Sequence, residues 1–86
     1  MDLGIKERLF LVCGATSGFG RAVAEALLKE DAHIIIVART AEKVDAFAST
    51  HPNIESVVGD ITTDVTITEV IRKIGSRTLD GVLINA

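Results

Sequence analysis

The sequence has 86 residues, of which 48% are hydrophobic, so it can form one domain at most. Its formal net charge is -3 and it has no basic block, so no nucleic-acid partner is expected. Cys13 is the only cysteine, which excludes an intramolecular disulfide and favours a reducing compartment, the cytoplasm. No apolar run approaches the roughly 18 residues of a membrane span, so no membrane partner is expected.

Short apolar runs alternate with helical patterns along the chain. The predicted strands are Leu9–Cys13, His33–Ala38, Ile54–Gly59 and Gly81–Asn85. They are rich in Val and Ile and alternate little with polar residues, which is typical of parallel strands buried on both faces. Strand–helix alternation at this spacing predicts βαβ units with right-handed crossovers. The fold class is therefore predicted to be α/β, with a parallel sheet.

The first helical pattern begins near Gly18, directly after a glycine-rich turn. Its apolar residues recur at the spacing of one helix face, which predicts burial of Phe19, Ala22, Val23, Ala26 and Leu27. The next strand follows within about two residues of the helix end, and a left-handed residue is commonly needed at such a junction. We predict that Asp31 adopts this conformation.

Two further helices are predicted. Thr40 is the expected N-cap of the second, which should end before Pro52 and bury Ala41, Val44, Phe47 and Ala48. The third should end at Gly75 and bury Ile67, Val70, Ile71 and Ile74. Its start is open, because Asp64 and the capping box Thr66-x-x-Glu69 both fit.

Three glycines, Gly14, Gly18 and Gly20, lie between the first strand and the first helix. Glycines there allow the backbone to contact a ligand, and the helix N-terminus supplies free N–H groups and a positive dipole end. A tight turn alone would need only one glycine, so the pattern favours a phosphate-binding turn. No Gly-Lys-Ser/Thr follows, which excludes the P-loop of nucleoside triphosphatases.

The spacing Gly14-x-x-x-Gly18-x-Gly20 resembles the T-G-x-x-x-G-x-G motif of the classical short-chain dehydrogenase/reductase family, with Cys13 in place of the usual threonine. Asp60-Ile61 resembles the family's Asp–aliphatic pair, which holds the adenine ring. Asn85 and Ala86 match part of its N-N-A-G motif, whereas Ile84 replaces the first Asn. The resemblance extends over essentially the whole chain. It implies a Rossmann-like three-layer α/β/α arrangement with sheet order 3-2-1-4, the first two helices on one face and the third on the other.

The residues after the second strand indicate which nicotinamide cofactor binds. A carboxylate about twenty residues after the glycines selects NAD in dinucleotide folds. Here the strand ends in Ala38-Arg39-Thr40, so a guanidinium and a hydroxyl are available for a 2′-phosphate. NADP is therefore the expected cofactor and NAD the less favoured one. The alternative is that Arg39 is only a solvated charge, and Ser17 replaces a second basic residue that NADP-binding relatives often carry.

The resemblance also implies the full set of cofactor contacts. They are Gly14, Thr16, Ser17, Gly18, Phe19, Gly20, Arg39, Thr40, Asp60, Ile61, Asn85 and Ala86. Asp60 could instead be a general base. His33, His51 and Cys13 are interpreted as structural, and no metal site is expected.

The family's chemistry uses a tyrosine, a lysine four residues later and a serine, and this chain contains no tyrosine. The resemblance therefore implies that residues 1–86 are the N-terminal part of a single NAD(P)-binding domain, without its catalytic part and unable to turn over alone. The alternative is a stand-alone, non-catalytic nucleotide-binding or interaction module. In the first case we expect the Gly81–Asn85 edge to pair with the rest of the enzyme or with a second copy. The full-length form is expected to be a homo-oligomer.

Overall fold

The computed structural model describes residues 7–14 and 18–84, which form an open parallel sheet with helices on both faces. The elements are β1 (Leu9–Cys13), α1 (Gly18–Lys29), β2 (His33–Ala38), α2 (Ala41–Ala48), β3 (Ile54–Val58), α3 (Asp64–Ile74) and β4 (Leu79–Ile84). The strand order is β3-β2-β1-β4, with parallel pairing throughout. The predicted fold class and sheet order are confirmed. No helix in these ranges is long and apolar enough to cross a membrane.

Two apolar cores lie on opposite faces of the sheet. On one face, Ala24 of α1 and Phe47 of α2 pack with Val12, Ile34 and Ile36. On the other, α3 contributes Val70 to a cluster that includes Leu11, Ile35 and Val37. Neighbouring residues of β2 are thus buried on alternate faces, as expected for a central strand covered twice. The predicted placement of the helices is confirmed.

The strand bounds agree with the predictions except at two ends. β3 ends at Val58, and β4 begins at Leu79 rather than Gly81, while Asn85 lies outside the described residues. The pairing of β1 with β4 shifts register between Leu9 and Phe10. Asp80 occupies this irregularity, where its Oδ2 accepts the Leu9 N–H at 2.9 Å. This side-chain bond satisfies the Leu9 N–H at the point where the register shifts.

The buried face of α1 differs from the predicted one. Gly20, Ala24 and Leu28 are buried, Val23 and Leu27 are partly buried, and Phe19, Ala22 and Ala26 are exposed. The prediction was therefore wrong for the last three residues. The buried row Gly20, Ala24 and Leu28 follows i, i+4 spacing, and it lies beside the predicted row rather than on it.

Both other helices also bury fewer residues than predicted. In α2, Thr40 is the N-cap and Val44 and Phe47 are buried as predicted, but Ala41 is exposed. α3 begins at Asp64 after the N-cap Thr63, whose side chain accepts the Thr66 N–H, and it ends before Gly75. Ile67 and Ile71 were predicted to be buried but are 40% and 62% exposed, whereas Thr66 is buried. The buried side of α3 is therefore narrower than the row of apolar residues along this helix.

The junction between α1 and β2 has the predicted left-handed residue. Asp31 has a φ of 61°. Its N–H donates to the Leu28 carbonyl at 3.0 Å, and the Ala32 N–H donates to the Leu27 carbonyl at 3.2 Å. These two bonds form a Schellman motif with aspartate in the position that glycine usually takes.

Candidate nucleotide-binding site

A cleft lies where the carboxyl ends of β1, β2 and β3 meet. Its volume is about 310 Å³, and four of its lining residues, Gly14, Arg39, Asp60 and Ile61, were predicted from the sequence as cofactor contacts. The parallel strands bring these residues together because their carboxyl ends lie at the same edge of the sheet. Crevices at this edge are where open α/β sheets bind their ligands.

Gly14 lines this cleft, and Gly18 begins α1. Gly14 has a φ of 81°, and its N–H donates to the Val37 carbonyl at 2.9 Å. Gly18 has a φ of 61°, and a Cβ placed on it would meet no atom within 4 Å. Backbone conformation, not crowding, therefore favours glycine at Gly18, and the open space permits close approach of a ligand. The predicted contacts Thr16 and Ser17 lie outside the described residues.

The first turn of α1 provides an electropositive helix end. The helix begins at Gly18 and has no acidic residue in its first turn, so its free N–H groups and dipole are not offset locally. Gly20 is buried against the sheet and Phe19 is exposed, and neither lines the cleft.

Arg39 and Thr40 follow β2 directly. The Arg39 side chain is 81% exposed, and its Nε lies 3.9 Å from Oδ2 of Asp60. Thr40 is the N-cap residue of α2, yet its side chain makes no capping hydrogen bond. A guanidinium and a hydroxyl are therefore both available to a ligand at the end of β2.

Asp60 follows β3 and is fixed by its own turn. Its Oδ1 accepts hydrogen bonds from the Thr62 hydroxyl at 2.7 Å and from the Thr62 N–H at 2.9 Å. These two bonds, with a smaller effect of the Arg39 guanidinium, hold the pKa of the Asp60 carboxyl below its ordinary value of 3.8. Asp60 is thus an anionic hydrogen-bond acceptor at neutral pH. A general base needs a higher pKa, so the acceptor role fits better.

Gly59 and Thr62 also line the cleft, and neither was predicted from the sequence as a site residue. The Gly59 N–H donates to the Ala38 carbonyl at 2.8 Å, which extends the pairing of β2 and β3. A Cβ at Gly59 would collide with the buried hydroxyl of Thr66. The position of Gly59 at the end of a predicted strand was the sequence signal that could have identified it as a site residue. No such signal marks Thr62, because its role depends on the geometry of the turn.

Cys13, which also lines the cleft, and His51 were both interpreted as structural. Cys13 is buried, and burial raises the pKa of its thiol. His51 Nδ1 accepts the Asn53 N–H at 3.0 Å in the turn before β3. Within residues 7–14 and 18–84, no cluster of His, Cys, Asp and Glu has the arrangement of a metal site.

A second groove lies between α1 and α2, far from the strand ends. Arg21, Glu25, Phe47 and His51 are among its lining residues, and its volume is about 400 Å³. The Arg21 guanidinium lies 4.9 Å from the centroid of the Phe47 ring, and its Nε donates to Glu25 at 2.8 Å. Arg21 is thus already engaged by an aromatic ring and a carboxylate, which makes this groove the weaker anion site.

Residues 8–86 match the short chain dehydrogenase family. The chain belongs to this family. It is 41% identical over 61 residues to L-xylulose reductase of Mesocricetus auratus, covering 71% of this chain and 25% of that protein. It is 49% identical over 45 residues to an uncharacterized oxidoreductase of Bacillus subtilis (strain 168), covering 52% of this chain and 17% of that protein.

Solved structures of short-chain dehydrogenases share this fold. L-sorbose reductase from Gluconobacter frateurii, complexed with NADPH and L-sorbose, superimposes with a TM-score of 0.88 at 30% identity. The superposition covers 100% of this chain and 35% of that one. The chain therefore spans about a quarter of the length of its matched L-xylulose reductase relative and about a third of this structural neighbour.

Proposed function

We propose that this chain is the cofactor-binding portion of an NADP-dependent short-chain oxidoreductase. The observation that carries the proposal is the cleft in which Gly14, Arg39, Asp60 and Ile61 converge at the strand ends. When bound, the nicotinamide cofactor would supply hydride transfer for carbonyl reduction or alcohol oxidation. The chain contains no tyrosine, so that chemistry by the family's route needs residues from another polypeptide segment.

Each part of the cleft suits one part of a dinucleotide. The glycine turn and the N-terminus of α1 would hold the pyrophosphate, with Gly14 and Gly18 allowing close approach. Asp60 would accept a hydrogen bond from the adenine ring while Ile61 packs beside it. Thr16, Ser17, Asn85 and Ala86 remain proposed contacts, as do Phe19 and Gly20 through the backbone of the first helical turn.

The preference for NADP over NAD rests on the end of β2. Arg39 and Thr40 stand where a carboxylate would bind the ribose 2′-hydroxyl of NAD. The exposed Arg39 guanidinium can make charge-assisted bonds to a 2′-phosphate. The NADPH bound in the L-sorbose reductase structure supports this cofactor class for a protein of the same fold.

The experiment is a comparison of NADPH and NADH binding to the wild-type chain and to Arg39→Ala. The fluorescence of the reduced nicotinamide follows the binding of both cofactors directly. Loss of one charge-assisted contact costs about 1.5–3 kcal/mol, so Arg39→Ala should reduce the preference for NADPH at least about tenfold. Arg72→Ala is the matched control, since Arg72 is 73% exposed on α3 and pairs only with Glu69 of its own helix in the described structure. Equal affinities of the wild-type chain for NADPH and NADH would contradict the proposal.

A further inference from the structure

In the turn that follows β3, one carboxylate oxygen of Asp60 already accepts two hydrogen bonds. The Thr62 hydroxyl and N–H both donate to Oδ1. The Asp60 carbonyl in turn accepts the Thr63 N–H at 2.9 Å and the Thr63 hydroxyl at 2.8 Å. Asp60 is therefore fixed at its backbone and at Oδ1, and only Oδ2 is directed toward Arg39.

The remaining contact between Asp60 and Arg39 is long. Charge-assisted hydrogen bonds between a guanidinium and a carboxylate measure about 2.7–2.9 Å and are often bidentate. Here Arg39 Nε and Asp60 Oδ2 are 3.9 Å apart, so the two charges attract each other but these atoms are too far apart for a hydrogen bond. A bidentate pair would need both carboxylate oxygens, and Thr62 occupies one of them. The Arg39 donors consequently remain available.

We infer that Thr62 is a positioning residue for recognition of the 2′-phosphate. By holding Oδ1, its hydroxyl prevents Asp60 from closing onto Arg39 and so leaves the guanidinium for the phosphate. This inference rests on the proposed function, because it assigns Arg39 to the 2′-phosphate. Thr62 need not touch the nucleotide; it acts through Asp60.

The test compares Thr62→Val with Thr62→Ser. Valine keeps the shape of threonine without the hydroxyl, whereas serine keeps the donor, and Thr62 is exposed, so both variants should fold. The readout is the dissociation constant of 5′-AMP divided by that of 2′,5′-ADP. Because both probes carry the adenine ring, this ratio isolates the 2′-phosphate. Thr68→Val is the matched control, since the Thr68 hydroxyl donates to the Asp64 carbonyl of its own helix.

We expect the ratio to fall about fivefold in Thr62→Val, the effect of one neutral hydrogen bond, and to stay near wild type in Thr62→Ser and Thr68→Val. The double variant Thr62→Val/Asp60→Asn should regain the wild-type ratio, because an uncharged amide cannot capture Arg39. In the nucleotide-free protein, exchange of the Arg39 Nε–H with solvent should be slower in Thr62→Val. This NMR measurement does not depend on cofactor binding.

The outcomes separate the two proposals. If the wild-type chain shows no preference for 2′,5′-ADP over 5′-AMP, the proposed function fails and the role of Thr62 fails with it. If the wild-type chain shows the preference and Thr62→Val keeps it, the proposed function stands and the inference is overturned. An unchanged Arg39 exchange rate in Thr62→Val would also overturn the inference.

Discussion

Asp60 carries the most sharply defined electrostatic feature of the site. Two hydrogen bonds from Thr62 stabilise its ionised form and lower its pKa below 3.8. Since the folded-state pKa is below the unfolded-state pKa, ionised Asp60 stabilises the fold above its ordinary pKa. That contribution is lost as the pH falls through the folded-state value.

We therefore predict that the free energy of unfolding depends less on pH in Asp60→Asn than in the wild-type chain when the solution is acidic. Below about pH 3.8, the free energy of unfolding should fall less steeply with decreasing pH in Asp60→Asn than in the wild-type chain. Urea unfolding at a series of pH values measures this slope, and carbon NMR of the Asp60 carboxyl gives its pKa directly. Identical slopes in the two proteins, or an Asp60 pKa at or above the ordinary value, would contradict the account.

Single residues of the site differ in how far the sequence predicts them. Arg39 was predicted because a guanidinium stands where a carboxylate would select NAD, and Asp60 was predicted from the family resemblance of Asp60-Ile61. Thr62 was not predicted, because its importance lies in two bonds to Asp60 that only the folded turn creates. A threonine two residues after an aspartate is otherwise an ordinary surface residue.

At the level of elements, the strands were easier to predict than the buried faces of the helices. α1 has apolar residues around much of its circumference, so hydrophobicity alone does not select one face. The buried row instead includes Gly20, which has no side chain and gives no hydrophobic signal in the sequence. In α3 the hydroxyl of buried Thr66 lies 2.9 Å from that of Thr63, and this pairing lets a polar residue face the sheet in place of Ile67.

The end of α1 provides a prediction about stability. Asp31 has a left-handed backbone, with a φ of 61°. Its N–H donates to the Leu28 carbonyl, and its carbonyl accepts the Glu7 N–H, so both hydrogen bonds are made by backbone groups. Asp31→Gly keeps these bonds and removes the strain, although glycine also raises the entropy of the unfolded chain. The change should be neutral or stabilising by up to about 1 kcal/mol, whereas Asp31→Ala should destabilise by about 1 kcal/mol.

Urea unfolding of the two Asp31 variants beside the wild-type chain decides this point. A clear loss of stability in Asp31→Gly would mean that the Asp31 carboxylate makes a contact that the fold requires. Equal stability of the Gly and Ala variants would mean that the left-handed conformation is not the source of the cost.

For the whole molecule, the two edges of the sheet are unlike. β3 carries Glu55, whose Oε2 pairs with Arg77 at 2.7 Å, so a charge lies at that edge. Asp80 lies near the start of β4, but the stretch from Gly81 to Ile84 carries no charge, and Val82 and Ile84 are 56% and 65% exposed. An uncharged stretch of an edge strand with exposed apolar side chains is a template for pairing with another chain. We propose that β4 pairs with a further segment of the enzyme or with a second copy.

This edge predicts the solution behaviour of the 86-residue chain. It should self-associate, and Val82→Lys should reduce the association because a charge on an edge strand opposes pairing. Val65→Lys is the control, since Val65 is also exposed but lies in the first turn of α3. Sedimentation velocity over a range of concentrations measures the effect. A wild-type chain that stays monomeric at tens of micromolar would contradict the prediction.

A nitrogen–proton NMR titration of the chain with NADP⁺ tests whether the cleft at the strand ends binds NADP. We expect saturable shifts at the backbone amides of Gly14, Gly18, Arg39 and Asp60, with a smaller response to NAD⁺ at Arg39. Shifts centred instead on Arg21, Phe47 and His51 in the groove between α1 and α2 would place the ligand elsewhere. That result would contradict NADP binding in the cleft. The absence of any shift at about 1 mM NADP⁺ would contradict it too, because even a Kd of about 1 mM corresponds to only about 4 kcal/mol of binding free energy.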